Sequence, residues 1–253
     1  MTTKLVFLQH KTISNDMKRF TAGIIIFTTI LSASGAFLSC SNGNGNSDGN
    51  QIDSTKLILE MEEKIKAEPM FELETSLGTM TIKLYEKTPK HKDNFSKLVK
   101  EKYFDGMRFH RVIEGFMVQA GDPNSKDTSM IDQWGYGGPQ YTVPAEFVDE
   151  YHHKKGAIAA ARKGDLANPM KASSGSQFYI VQSESGCSHL DGQYTVFGEV
   201  IDGLEIIDRI AAAPTDRMDR PYQDIMITAI RAIGPSCSLA DSPITEADTT
   251  SEN

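Results

Sequence analysis

The most informative stretch of the sequence is residues 109–122, which read Phe109-His110-Arg111-Val112-Ile113-Glu114-Gly115-Phe116-Met117-Val118-Gln119-Ala120-Gly121-Asp122. Strict alternation of side chains along a strand predicts that Arg111 lies on the same face as Phe109 and Ile113. An arginine among apolar neighbours is rarely buried unless it is paired or performs a task. The stretch therefore marks Arg111 as a candidate functional residue.

A second group of side chains follows Arg111 in the same stretch. Met117 and Gln119 share a face by alternation, whereas Phe116 joins them only if Gly115 bends the chain. Each residue alone also has an ordinary structural explanation: an arginine in a salt bridge, a phenylalanine in the core, a glutamine at the surface. The residue types alone leave this choice open.

The sequence on either side predicts many short strands and two helices. Alternating or apolar runs that are typical of strands occupy residues 71–74, 80–84, 108–119, 156–161, 178–182, 195–201 and 225–233. The first helix begins at Thr88-Pro89 with an N-cap and a first-turn proline, and the second ends before Pro214. Because no βαβα rhythm is present, the pattern predicts a mainly β fold: a closed antiparallel barrel plugged by two helices.

Four motifs in order resemble one known family. The stretch 109–122 closely resembles the signature of the cyclophilins, the cyclosporin-type peptidyl-prolyl cis-trans isomerases. The other three are Gly135-Tyr136-Gly137-Gly138, Ser174-Gly175-Ser176-Gln177-Phe178-Tyr179-Ile180, and Leu190-Asp191-Gly192 followed by Val196-Phe197-Gly198. The resemblance covers residues 70–233 and implies an eight-stranded antiparallel barrel capped by two α-helices, with isomerase activity on X-Pro bonds (EC 5.2.1.8).

The resemblance also implies roles for individual residues. Arg111 matches the family's catalytic arginine, and Gln119 is expected to hydrogen-bond the peptide backbone or to orient Arg111. The proline ring is expected to bind against four side chains: Phe116, Met117, Tyr179 and Leu190. Gln177 corresponds to a neighbouring polar wall, and Ala161 with Arg162 to the edge that binds the peptide backbone.

Four positions depart from the common eukaryotic pattern of the family. They are Arg162 in place of Asn, Tyr179 in place of Phe, His189 in place of Trp, and Tyr194 in place of His. His189 is expected at the rim of the pocket, with an exposed loop histidine as the alternative. Because the usual indole donor is absent there, the resemblance leaves cyclosporin sensitivity open. For Tyr194 a substrate contact and simple packing before the following strand stay equally open.

The resemblance implies chemistry that needs no nucleophile, metal or cofactor, and the composition agrees with such a reaction. The six His follow no regular ligand spacing, and three Cys are too few for a Cys-rich zinc site. A net charge of −8 argues against a nucleic-acid partner, because neutralising phosphates requires clustered Lys and Arg. The expected partners are proline-containing polypeptides, unfolded or partly folded, and the chain is expected to be a monomer.

The N-terminal region predicts export. An uncharged stretch from Phe20 to Leu38 follows Lys18-Arg19 and leads to Cys40, which resembles a lipoprotein signal that is cut before a lipid-bearing cysteine. Met17 is a possible true start. The alternative is an uncleaved signal anchor, since 19 uncharged residues just span a bilayer. We therefore expect a signal in residues 1–39, a lipid anchor at Cys40 and a location in the cell envelope, on a membrane and facing the periplasm.

Three segments flank the predicted barrel. Residues 40–53 are rich in Gly, Asn and Ser and predict a flexible tether. Residues 54–69 have helical apolar spacing, so this helix either docks on its own domain or contacts a partner. Residues 234–253 carry acids but no bases and predict a disordered tail. Cys187 and Cys237 are expected to stay thiols rather than to pair.

Two functions stay open from the sequence. The first is an active prolyl isomerase that assists the folding of exported proteins. The alternative is a binding module or scaffold that keeps the barrel with little turnover. The presence of Arg111, Phe116, Met117 and Gln119 favours the first.

Overall fold

The structure is a computed structural model that describes residues 54–234. It has three α-helices, ten strands and three 3₁₀ helices within these residues. The helices are α1 (Ser54–Ala67), α2 (Pro89–Lys100) and α3 (Leu204–Ala211). The strands are β1 (Met70–Thr75), β2 (Gly78–Leu84), β3 (Arg111–Ile113), β4 (Met117–Ala120), β5 (Thr142–Val143), β6 (Ala157–Ala160), β7 (Ser173–Ser174), β8 (Phe178–Val181), β9 (Val196–Asp202) and β10 (Ile227–Ile233). The 3₁₀ helices are Pro123–Lys126, Thr128–Gln133 and Ser188–Leu190.

Eight of the strands form one antiparallel sheet in the order β10-β1-β2-β9-β6-β8-β4-β3. The sheet curls until its two edges meet: Arg108 forms an antiparallel bridge with Met226, and the Phe109 N–H donates to the Ile225 carbonyl at 2.9 Å. Joining the edges removes the unpaired backbone groups that an open sheet leaves exposed. The predicted eight-stranded antiparallel barrel with two capping helices is confirmed.

The core fills the barrel between α2 and α3. Phe95 of α2 stacks on Phe104 with ring centroids 4.9 Å apart and meets Phe178 of β8 edge-on at 5.7 Å. Ile207 and Ile210 of α3 are completely buried in the same apolar cluster. The spacing of apolar residues in each helix thus directs one face of it into the barrel.

The first turn of α2 is completed by a residue from a distant loop. Pro89 occupies the first turn, as predicted, but the Thr88 hydroxyl donates to the Tyr85 carbonyl instead of accepting from the helix. The Glu146 carboxylate accepts the N–H groups of Lys90 and His91, each at 3.0 Å. Glu146 therefore caps the N-terminus of α2. The prediction that the Thr88 side chain accepts the capping hydrogen bond was wrong.

The stretch 108–119 is a hairpin rather than one strand. Arg111 pairs with Gln119 and Ile113 with Met117 across β3 and β4, and Gly115 takes φ +77° in the turn between them. Regular strand pairing begins only at Arg111, so the alternation of side chains does not extend back to Phe109. Phe109 packs in the barrel core, whereas Arg111 and Ile113 face outward. The prediction that Phe109 shares a face with Arg111 was therefore wrong.

Several predictions concern residues outside the described range. These are the signal in residues 1–39, the lipid-bearing Cys40, the tether 40–53, Cys237 and nearly all of the tail 234–253. Cys187 is buried. Within residues 54–234, every helix falls short of the length and hydrophobicity that crossing a bilayer requires.

Candidate active site

A pocket of about 130 Å³ opens on the outer face of the sheet, where β3, β4, β6 and β8 lie side by side. Nine of the eleven residues predicted for the site line it: Arg111, Phe116, Met117, Gln119, Ala161, Arg162, Tyr179, Leu190 and Tyr194. The walls come from separate parts of the chain that the curled sheet brings together. The pocket therefore combines two arginines and a glutamine with apolar and aromatic side chains.

Arg111 and Gln119 supply the polar side of the pocket. They face each other directly across the β3–β4 pair, and the Arg111 side chain is 43% exposed. A half-exposed guanidinium keeps its charge without the cost of full desolvation. The Arg111 donors are thus accessible to a ligand that enters the pocket.

The apolar side of the pocket combines sheet and loop residues. Met117 of β4 and Tyr179 of β8 are both buried. Met117 pairs with Val181 of β8, and Tyr179 pairs with Gln119 of β4. Leu190 is the last residue of a 3₁₀ helix. Phe116 is partly buried against the same cluster, because the turn at Gly115 carries it round to this side. These side chains form a slot for a small apolar ring.

Gln119 is held by a chain of polar groups behind the pocket. Its Nε2 donates to Oε1 of Gln177 at 3.0 Å, and Nε2 of Gln177 donates to the carbonyls of Gly135 and Gly137. Buried Asp122 accepts the N–H groups of the same two glycines. Gln177 thus supports the pocket from behind instead of lining it, and Gln119 is oriented by Gln177.

Arg162 forms one edge of the pocket, and its side chain is buried there. Its side chain is only 4% exposed, and its guanidinium lies over the Tyr194 ring at 4.4 Å from the centroid. Its Nε donates to the Gln193 carbonyl at 2.9 Å. Among residues 54–234, the backbone N–H and carbonyl of Arg162 take part in no hydrogen bond and are therefore left for a ligand.

His189 lies beside the pocket, not in its lining. The residue is exposed, and its ring stacks on Phe116 with centroids 6.2 Å apart and an interplanar angle of 27°. This contact supports the predicted position at the rim. The imidazole is thus a neighbour of Phe116 at the mouth of the slot.

Tyr179 is anchored from behind by a buried histidine. Nε2 of His153 lies 3.0 Å from the Tyr179 hydroxyl, and its Nδ1 lies 2.6 Å from Oδ1 of Asp191. Burial lowers the pKa of His153 and raises the pKa of Tyr179. Neutral His153 can donate to the Asp191 carboxylate and accept from the Tyr179 hydroxyl, which fixes the tyrosine ring in the pocket wall.

A serine, a histidine and a glutamate elsewhere align like a hydrolase triad. Nε2 of His91 lies 2.9 Å from Oγ of Ser173, and its Nδ1 lies 2.6 Å from Glu146. Ser173 and His91 are 1% and 3% exposed, so no substrate reaches the hydroxyl. A nucleophile must contact its substrate, so this network is structural.

The imidazole of His110 is buried beside the strand that carries Arg111. Among the described residues neither ring nitrogen has a hydrogen-bond partner, and burial lowers the pKa of His110 to about 4. The unfolded chain therefore binds the proton first, near pH 6.5. This histidine stabilises the fold above that pH, and its contribution is lost as pH falls toward about 4.

We expect the free energy of unfolding to fall by about 1 kcal/mol between pH 7.5 and pH 5.5 through His110 alone. Urea unfolding of the wild type and of His110→Phe at both pH values measures this, because phenylalanine cannot titrate and no hydrogen bond is lost. The difference between the two pH values should shrink in the variant. An unchanged pH difference would contradict the assignment to His110.

Two residues that support the site, His153 and Asp219, were not predicted from the sequence. His153 and Asp219 each contact a predicted residue, at Tyr179 and Arg111 respectively, but lie in loops without a recognisable motif. The doublet His152-His153 was the only sequence signal for the first. No local pattern pointed to Asp219.

The barrel and its outer pocket define a class of protein that binds a small apolar ring next to an arginine. Residues 70–232 match the family described as "Cyclophilin type peptidyl-prolyl cis-trans isomerase/CLD". This chain belongs to that family, and it is a peptidyl-prolyl cis-trans isomerase that acts on X-Pro bonds.

Individual relatives agree with this assignment. The chain is 38% identical over 165 residues to "Peptidyl-prolyl cis-trans isomerase-like 3" of Rattus norvegicus, a match that covers 62% of this chain and 92% of the relative. A crystal structure of a cyclophilin-type isomerase from Cryptosporidium parvum matches with a TM-score of 0.58 and 28% identity, over 66% of this chain and 99% of the other. A second structure of that protein, in the presence of the dipeptide Ala-Pro, matches with a TM-score of 0.56 and 27% identity, over the same shares of the two chains.

Proposed function

We propose that the pocket around Arg111 is the catalytic site for X-Pro rotation and that this isomerase assists the folding of exported proteins at the cell envelope. The observation that carries the catalytic part is the meeting of Arg111 with the apolar slot of Phe116, Met117, Tyr179 and Leu190 in one open pocket. A proline ring fits the apolar side, and the guanidinium lies at its edge.

The reaction itself explains why these residue types suit it. Rotation about a peptide C–N bond is resisted by roughly 18–20 kcal/mol, because the nitrogen donates its lone pair into the carbonyl. In the twisted transition state the proline nitrogen becomes pyramidal and regains that lone pair. A guanidinium beside the nitrogen then gains a hydrogen bond that the planar ground state does not offer. Such differential binding accelerates the step.

The remaining residues hold the two sides of the rotating bond. The apolar slot immobilises the proline ring, while Gln119 and the free backbone groups of Arg162 bind the peptide backbone. Fixing both groups lowers the entropy cost of reaching the twisted geometry. Tyr194 under the Arg162 guanidinium keeps that edge in place.

The purified protein should accelerate cis–trans exchange of a short Ala-Pro peptide, and a peptide in which alanine replaces proline should compete poorly for the pocket. Isomerisation of X-Pro bonds is slow enough to limit folding, so such an activity is useful to newly exported chains. Equally strong competition by the alanine peptide would contradict the assignment of the apolar slot to a proline ring.

The location part of the proposal rests on residues 17–53. Lys18-Arg19, the uncharged stretch that follows and Cys40 resemble a lipoprotein signal, and the Gly/Asn/Ser-rich segment after Cys40 is a suitable tether. A lipid on Cys40 would hold the isomerase at the membrane on the periplasmic side. Substrates would then arrive from solution, where unfolded exported chains are found.

Metabolic labelling tests the lipid anchor. Cells that express the full chain are grown with a radiolabelled fatty acid and fractionated, and the wild type should carry label in the membrane fraction. Cys40→Ala should lose both the label and the membrane association, while Cys187→Ala serves as the matched cysteine control. A wild type without label would refute the anchor.

A further inference from the structure

The guanidinium of Arg111 has an acidic neighbour from a distant loop. Oδ2 of Asp219 lies 3.5 Å from Nε of Arg111, and both side chains are a little over two-fifths exposed. The distance is that of an ion pair and is longer than a charge-assisted hydrogen bond. The carboxylate therefore attracts the guanidinium from its Nε side and leaves the two terminal amino groups for another acceptor.

Backbone hydrogen bonds hold Asp219 in this place. The Val112 N–H donates to the Asp219 carbonyl at 2.7 Å, which ties the residue to the strand that carries Arg111. The Asp219 N–H donates to the Asp216 carbonyl, and the Asp216 carboxylate accepts the N–H groups of Met218 and Arg220. The loop is thus closed on itself and fixed to β3.

The backbone of Asp219 also has an unusual conformation. Its φ is +61°, a region in which aspartate and asparagine are favoured over most other residues with a side chain. The loop therefore presents a short polar side chain at a defined point. That point is next to the guanidinium of Arg111.

We propose that Asp219 is a positioning residue that holds Arg111 in its catalytic orientation. An arginine has many rotamers, and a free guanidinium at the pocket mouth would spend part of its time away from the proline nitrogen. The ion pair at Nε favours side-chain orientations in which the two terminal amino groups of Arg111 point away from the loop that carries Asp219. This inference rests on the proposed catalytic role of Arg111 and adds a second residue to it.

The ion pair makes a specific kinetic prediction. Because Asp219 acts through Arg111 and does not line the pocket, its loss should lower kcat and leave KM of an uncharged peptide nearly unchanged. Partly exposed ion pairs have modest strength, so the expected loss is about two- to fivefold in kcat. The peptide should be blocked at both ends, because a charged one would respond to the altered electrostatic potential.

The test compares three variants of the full chain with the wild type. Asp219→Asn removes the charge and tolerates the left-handed backbone, and it should lower kcat. Asp219→Glu restores a carboxylate and should recover part of the loss. Glu114→Gln removes one exposed negative charge from the nearby β3–β4 turn, where Glu114 has no ion pair among the described residues, and kcat should stay within error.

A spectroscopic signal separates positioning from a general effect on the fold. The Nε–H resonance of Arg111 should shift in Asp219→Asn and should stay in place in Glu114→Gln. Unchanged kcat and an unchanged resonance in Asp219→Asn would overturn the inference. If Arg111→Ala also kept full activity, the proposed catalytic role itself would fail, so the two failures are distinguishable.

Discussion

Replacing Arg111 by alanine is expected to lower kcat/KM for an X-Pro peptide by about ten- to a hundredfold. A hydrogen bond to a charged group contributes roughly 1.5–3 kcal/mol, and each 1.36 kcal/mol of transition-state stabilisation is tenfold in rate. The side chain is 43% exposed and lies outside the core, so the variant should fold normally. A peptide assay coupled to conformer-specific proteolysis measures the rate.

Two further variants sharpen this result. Arg111→Lys keeps the charge but loses the planar fork, so it should recover only a small part of the rate. Arg209→Ala on α3 removes an arginine that donates to the Leu77 carbonyl and does not line the pocket, and it should leave the rate unchanged. Full activity in Arg111→Ala would show that the guanidinium does not take part in the reaction.

The second large effect concerns stability and is expected for Glu146→Ala. The carboxylate caps the first turn of α2, pairs with buried His91 at 2.6 Å and is 10% exposed. Loss of a cap costs about 1 kcal/mol, and leaving Nδ1 of the buried His91 imidazole without its partner costs about 1–3 kcal/mol more. We therefore expect the free energy of unfolding to fall by about 2–4 kcal/mol, as measured by urea denaturation.

A matched glutamate provides the control for this effect. Glu150 pairs with Lys87 at 2.7 Å, but its side chain is 54% exposed. Exposed pairs contribute between about 0 and 1 kcal/mol, so Glu150→Gln should hardly change the denaturation midpoint. Equal losses in the two variants would mean that Glu146 is only one more surface charge.

The parts of the molecule that follow local rules could be predicted from the sequence. The first turn of α2 contains Pro89 where expected, and α3 ends before Pro214. Six of the nine pocket residues could be placed together because they belong to three motifs that follow one another in a recognisable order. Gln177 was predicted to be a neighbouring polar wall, and it lies behind Gln119 as its hydrogen-bond partner.

The errors and omissions depend on tertiary packing. Alternation placed Phe109 beside Arg111, but the chain before Arg111 is paired with residues next to β10 and follows no regular strand. The cap from Glu146 joins residues 55 positions apart, and Thr88 offered a plausible local alternative. The contact of Asp219 with Arg111 depends on the path of a loop that no period or motif describes.

A single NMR experiment on the full chain with a blocked Ala-Pro peptide tests whether the proline binds in the pocket around Arg111. Cis–trans exchange of the peptide and the methyl signals of Met117 and Leu190 are recorded together. We predict fast exchange and shifts of both methyl signals that saturate with the peptide. Fast exchange while both methyl signals stay unchanged would contradict the claim that the proline binds in this pocket.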